Sequence, residues 1–350
     1  MIRHFMKMNI EVQIPFEHHQ SAHCETGVIS NLLSHHGLPI SEAMVFGIGS
    51  GLFFGYFPFI RLNHLPLSAF RISTGGIMKR VCRRLQVSVK WEKFRNHQKA
   101  MDVLDQRLAQ QIPVGCRTGA FWLSYFPHRL RFHFNMHNLV VFGKKGSDYL
   151  ISDPVFPDPV LCSESSLRKA RFAKGSMPPK GKMYHIESIP DQVDLPKAIS
   201  MSVKEVCRNM LKAPIPFIGV KGIRYLAKKM EKWPEKLGEE KASLYLGQII
   251  RMQEEIGTGG AGFRFIYAAF LQEVADILND NRFLELSRRM TEIGDHWRAF
   301  ALMASRNCKK RASKTENYLE MADILRYCAE GEAKLLKDLS AITPDTKYPG

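Results

Sequence analysis

At 350 residues, with 45% hydrophobic and 24% charged residues, 25 Gly and 18 Pro, the chain lies in the globular range, outside disordered, collagenous or low-complexity sequence. At about 150 residues per domain it holds about two domains. Its seven cysteines (24, 82, 116, 162, 207, 308 and 328) are odd in number and lack CxxC spacing, which argues against a disulfide scaffold or a zinc ribbon. A formal net charge of +16, with no acid in residues 61–90 or 107–145, fits either a solvated basic surface that aids solubility or an acidic partner; with no zinc finger, RRM-type aromatic motif or helix-turn-helix signature, nucleic acid is not expected, whereas an acidic protein, a phosphorylated carrier or a peripherally touched anionic membrane fits.

The first twenty residues contain no apolar core of signal-peptide length, so a cytoplasmic location is expected. In HCETGVISNLLSHHG, Val28, Ile29, Leu32 and Leu33 fall on one helical face, which predicts a helix that opens at Cys24 and is capped at Gly37. Residues 43–60 are uncharged and just long enough to raise a membrane span. Gly47, Gly49, Gly51, Gly55 and Pro58 break such a helix, and a buried Gly-rich turn and strand is predicted instead. QVSVKW, HNLVVFG and DYLISDP predict strands, and MDVLDQRLAQQ a helix. Residues 169–182, rich in Lys, Gly and Pro, read as a connector or mobile flap. After IPDQVDLP, which ends at Pro196, apolar residues three or four apart predict helices over 203–212, 218–233, 241–255, 262–278, 284–303 and 315–339. The predicted architecture is α+β, with a mixed domain over residues 1–192 and an α-helical bundle over 193–350.

Chemistry concentrates at Cys24. A thiol at a helix N-terminus meets unpaired amides and the positive end of the helix dipole, which favour the nucleophilic thiolate. Residues 137–153 predict a β-hairpin with a loop at 144–146, where Gly146 supplies a left-handed turn residue. Antiparallel pairing of 143 with 147 then sets 137 opposite 153, close enough for a carboxylate to orient an imidazole; the alternative is that Asp153 only opens the Asp153-Pro154 turn and His137 is a half-buried strand residue. Cysteine on a helix start, histidine on a strand and aspartate on the next strand, in that order, resembles the papain-like cysteine enzymes. That pattern has an oxyanion glutamine six residues before the cysteine; here His18 is six before and Gln20 four before, which makes Gln20 the oxyanion candidate from sequence, beside the amide of Cys24.

The longer motifs resemble a narrower family, that of butirosin biosynthesis protein H. They are HCETGVISNLLSHHGLPISEAMVFGIGSGLFFGY from His23, HNLVVFGKKGSDYLISDP from His137, GTGGAGFRFIYAAFL from Gly257, and GDHWRAFA around Trp297. The resemblance implies a papain-like first domain, a helical second domain, and acyl transfer from an acyl-carrier-protein thioester to an amine or hydroxyl of a small molecule. Cys24, His137 and Asp153 would be its catalytic residues. No bound cofactor is implied; the acyl group arrives on the phosphopantetheine of an acidic carrier protein, which the acid-free basic windows suit. A cysteine peptidase, amidase or thioesterase would use the same three residues, and a non-catalytic carrier-binding module would leave Cys24 a spectator.

Three further residues are substrate-binding candidates. Glu42 either starts a helix or binds an amine. GTGGAG, with Gly259, either presents amides to a phosphate or lets helices pack closely, and Arg264 is the anion partner in the first case. His18, His19, His23, His35 and His36 crowd around Cys24, but without a well-placed acid they do not make a metal motif, and no metal is assigned.

Overall fold

The computed structural model describes residues 11–343 except 63, 129–130 and 312–316. The first ten residues, Arg129 of the second basic window and residue 315, at the expected start of the last helix, lie outside the described residues. In chain order the elements are β1 (Val12–Gln13), α1 (Cys24–His35), α2 (Glu42–Ile48), β2 (Leu52–Leu62), β3 (Leu65–Arg71) and α3 (Gly76–Arg84). Then come β4 (Ser88–Glu92), α4 (His97–Ala109), β5 (Val114–Thr118), β6 (His137–Lys145), β7 (Asp148–Ser152), β8 (Val160–Ser163), α5 (Glu164–Arg171) and β9 (Met183–Ser188). The remainder is helical: α6 (Leu195–Leu211), α7 (Gly219–Met230), α8 (Trp233–Leu237), α9 (Glu239–Ile250), α10 (Arg264–Leu278), α11 (Asn281–Cys308) and α12 (Tyr318–Ile342).

These elements form two units, Met1–Glu42 with Gln86–Asp191, and Ala43–Leu85 with Gln192–Gly350. The first is mixed α+β. Its antiparallel sheet runs β4-β9-β5-β6-β7-β8, with β1 added on β6. Residues 137–143 of β6 are all buried, as expected for a strand covered on both faces. Leu139 and Val141 of β6, Leu104 and Leu108 of α4, and Leu167 and Ala170 of α5 belong to one apolar core. Helix α1 packs on β6 and has every residue from Cys24 to Leu33 buried. It ends as its sequence predicts: Gly37 takes φ +86° and the Leu38 amide bonds the Leu33 carbonyl.

The hairpin differs from its expected register. Lys145 pairs with Asp148 across a two-residue turn, and Lys144 with Tyr149, whereas Val141 pairs with Ile151 and Val140 with Ser152. Phe142 is therefore an extra residue, a β-bulge. Hairpin register alone would put position 153 opposite 140, on the other face from His137. The bulge shifts the pairing by one, so that continuing β7 sets 153 opposite 139, two residues along and on the same face as His137. The segment read as a flap is instead anchored. Arg171 is fully buried, the Gly181 amide bonds its carbonyl, and the Asn135 side chain donates to the Lys174 and Ser176 carbonyls at 3.0 Å each.

In the second unit, a helix lies on each of the six stretches predicted beyond Pro196, within the described residues, although the stretch 218–233 breaks after Met230 and α8 starts at Trp233. Residues 43–85, which the sequence assigns to the first domain, pack here. They form α2, a β2–β3 ribbon and α3 rather than a turn and a strand. Phe54 and Phe70 lie 5.8 and 5.6 Å from Trp297, Phe46 stacks on Phe263, and a Cβ on Gly47 would sit 2.0 Å from the Phe270 ring. The apolar run is uncharged because its partners lie some 200 residues downstream, which local spacing does not reveal. No described helix is long and apolar enough to cross a membrane.

Candidate active site

Cys24 occupies the first position of α1, after His23 in an extended conformation. The turn before it is held by Glu42. One carboxylate oxygen accepts from the His23 amide at 2.7 Å and the Thr26 hydroxyl at 2.8 Å, and the other from the Ala22 amide at 2.9 Å. This carboxylate thus does for α1 what an N-cap side chain does, satisfying donors that a helix cannot pair internally. Burial pushes its pKa up, opposed by these three hydrogen bonds. Glu42 is accordingly a capping residue for the helix that bears Cys24, not for its own helix.

His137 stands at the start of β6, 5% exposed, and Cys24 is 8% exposed. The imidazole Nε2 lies 2.7 Å from Asp153 Oδ2, and its other side engages the Cys24 thiol. Burial disfavours the charged imidazole, but the Asp153 carboxylate and the bonds to Asp153 and Cys24 outweigh it and push the His137 pKa up to about 10. Asp153 is fully buried just beyond β7. Its Oδ2 also accepts from the Tyr125 hydroxyl at 2.7 Å, and its Oδ1 from the Val155 amide at 3.3 Å. Phe126 meets the imidazole edge-on, 5.4 Å between centroids. The three sequence candidates are thus brought together as a thiol, an imidazole and a carboxylate in hydrogen-bonded series, the chemical equipment of a papain-like cysteine enzyme.

Asn138 is a neighbour that sequence reading passed over. Its Nδ2 lies 3.9 Å from Cys24 Sγ and 3.1 Å from the Met136 carbonyl, while its Oδ1 accepts from Tyr184 at 3.2 Å. The Tyr184 hydroxyl, its pKa held well above the usual value chiefly by burial, remains a donor and so fixes which end of the amide faces the sulfur. Position 18 is committed elsewhere: the His18 ring nitrogens contact the Ser152 hydroxyl at 2.7 Å and the Phe156 carbonyl at 3.0 Å, tying the chain before α1 to the strand before Asp153. Gln20 is exposed, and no hydrogen bond joins it to Cys24 among the described residues.

The two candidates from the helical unit have other surroundings within that unit. Gly259 is exposed, in a turn before α10. Arg264 is fully buried, with Nε and Nη2 on Glu332 at 2.9 and 3.1 Å and Nη1 on the Gly262 carbonyl at 2.8 Å. Trp297 Nε1 donates to the same carboxylate at 2.8 Å. Its charge is spent inside the core, so Arg264 is a structural ion-pair residue and not an anion site. Several residues of the acid-free windows are likewise paired at long range: Arg80 and Arg84 with Glu205, Arg107 with Glu92, and Lys144 with Asp105. No three metal-binding side chains gather among the described residues.

Two family models match the sequence. One, described as the N-terminal domain of butirosin biosynthesis protein H, covers residues 23–154, which begin just before Cys24 and end just after Asp153. The other, a domain of unknown function (DUF4872), covers residues 165–339, half of the chain. A crystal structure described as a C39-like peptidase from Bacillus anthracis aligns over 53% of this chain and 100% of its own, at 11% identity and a TM-score of 0.37. No curated protein matches the chain.

Proposed function

Since the chain belongs to the family that joins a butirosin biosynthesis protein H N-terminal domain to a DUF4872 domain, we propose that it is a cysteine-dependent acyltransferase that takes its acyl group from a carrier-protein thioester. The observation that carries the reading is the series from Cys24 at a helix start, through His137, to Asp153 at 2.7 Å. An imidazolium beside a thiol at a helix N-terminus stabilises the thiolate. The Cys24 thiolate attacks the thioester carbonyl, and the tetrahedral intermediate collapses with loss of the pantetheine thiolate, which takes its proton from His137. Neutral His137 then accepts a proton from the acceptor amine or hydroxyl as it attacks acyl-Cys24, and Cys24 leaves as thiolate. Asp153 holds the imidazole by its far nitrogen throughout. The oxyanion of each tetrahedral intermediate is met by the Cys24 amide and the Asn138 side-chain amide, in place of the glutamine of the papain pattern.

A thioester donor suits this site because its thiolate is a good leaving group for attack by another thiol. The experiment is intact-protein mass spectrometry after incubation with a panel of acyl-pantetheine and acyl-carrier-protein thioesters, using wild type, Cys24→Ala and His137→Ala. An adduct that maps to Cys24, is absent from Cys24→Ala and is discharged by added amine or hydroxyl compounds is the expected result. An adduct discharged by water alone would make the protein a hydrolase. No adduct, together with ordinary thiol reactivity at Cys24, would leave a carrier-binding module.

A further inference from the structure

A cleft of 710 Å³ opens within the second unit, between the β2–β3 ribbon, α3 and the segment that links α6 to α7. That volume lies inside the ~300–1,000 Å³ range of small-molecule sites. Its floor is the ribbon face turned away from the helical core. Phe54 and Phe70 point inward and are buried, whereas Phe57 and its cross-strand partner Leu67, with Phe53, line the cleft and stay partly exposed. A half-exposed apolar floor of this kind offers van der Waals contact and nothing to hydrogen-bond, so it selects a hydrocarbon or aromatic body.

The rest of the lining carries charge of one sign. Arg71, Arg80, Arg208 and Lys212 all border the cleft, and no carboxylate does. Glu205, the acid beside it, is engaged by Arg80 at 2.9 Å and by Arg84. A guanidinium presents its donors in a planar fork that matches the oxygens of a carboxylate or phosphate.

From the ligand-sized volume, the apolar floor and the uniformly cationic wall, we infer that this cleft binds an amphipathic oxyanion, an acyl or aryl body ending in a carboxylate or phosphate. The body lies on Phe53 and Phe57, and the head between Arg80 and Arg208. This site does not depend on the chemistry at Cys24, and its test is binding rather than turnover. Isothermal titration of the full chain with octanoate and octyl phosphate, against octanol, octyltrimethylammonium and inorganic phosphate, separates the contributions. The anions bind at least about tenfold more tightly than octanol, the cation does not bind, and octyl phosphate exceeds inorganic phosphate by about tenfold or more. The tighter of the two anions tells whether the natural ligand is a phosphorylated compound or a free acid. Arg80→Met and Arg208→Met each weaken anion binding by about tenfold and leave octanol unaffected; Arg208, exposed and outside the Glu205 pairing, keeps the test valid if Arg80→Met misfolds. Octanol binding as well as octanoate, inorganic phosphate matching octyl phosphate, or an Arg208→Met protein with undiminished anion affinity would overturn the inference.

Discussion

Replacing Asn138 by alanine separates acyl chemistry from simple thiol reactivity. Its Nδ2 stands 3.9 Å from Cys24 Sγ, with one of its two hydrogens directed to the Met136 carbonyl and its orientation set by Tyr184. The second hydrogen faces the sulfur, and an oxyanion donor of this kind needs its nitrogen about 2.7–3.1 Å from the oxygen of a tetrahedral adduct on that sulfur. Loss of one such donor costs about 10²–10³ in rate, or about 2.7–4 kcal/mol of transition-state stabilisation. The assay pairs two reactions of the same sulfur: acylation by an acyl-pantetheine thioester, which passes through an oxyanion, and alkylation by iodoacetamide, which does not. Asn138→Ala should slow acylation by about 10²-fold or more while alkylation is little changed. Equal losses in both reactions would mean that Asn138 acts on the thiolate or on folding, and unchanged acylation would remove it from the oxyanion hole.

Four other outcomes follow from the same geometry. Asp153→Asn removes the charge that holds His137 and should cut acylation by up to about 10⁴-fold, as loss of the triad acid does when the imidazole takes the wrong tautomer; single-turnover acylation measures it. The His137 pKa is raised to about 10 by Asp153 and Cys24 against the opposing effect of burial, so its pairing contributes stability fully below the unfolded value near 6.5. That contribution declines as pH rises and is gone above about 10; unfolding of wild type and His137→Gln across pH 6–10.5 should converge at the alkaline end. Glu332→Ala strands the buried Arg264 and the Trp297 indole, and should cost about 3–5 kcal/mol, seen as a melting temperature lowered by roughly 6–20 °C. A Cβ on Gly27 would lie 2.6 Å from Pro154 and Ser21, so Gly27→Ala should push α1 off the turn that carries Asp153. Overpacking of this kind costs about 1–3 kcal/mol, and the alkylation rate of Cys24 should fall with it.

What could be read along the chain was whatever local chemistry decides. The start of α1 at Cys24, its glycine stop and the helices beyond Pro196 follow from apolar spacing and capping within a dozen residues, and the cysteine, histidine and aspartate were legible because their types and order are themselves chemical statements. The alliance of 137 with 153 was reached by an incorrect register. The turn is tighter than the expected three-residue loop, which by itself would reverse the face of position 153, and the bulge at Phe142, a two-strand property, reverses it back, so both side chains still lie on one face.

Long-range packing decided the rest. Residues 43–85 join the helical unit because their aromatic faces are completed by Trp297, Phe263 and Phe270. Glu42 became the cap of another helix, and Arg264 an internal ion pair, because a charged side chain takes its role from the partner it meets after burial. Asn138 and Tyr125 joined the site for the same reason, as amide and phenol groups whose significance lies in distances of a few ångströms to Cys24 and Asp153. The sequence by itself determined which thiol, imidazole and carboxylate come into question and which helix carries the thiol, since these depend on residue type and local periodicity. Only the tertiary structure decided what orients them, what caps them and which charges remain for a ligand, because hydrogen bonds and burial are properties of pairs brought together from distant parts of the chain.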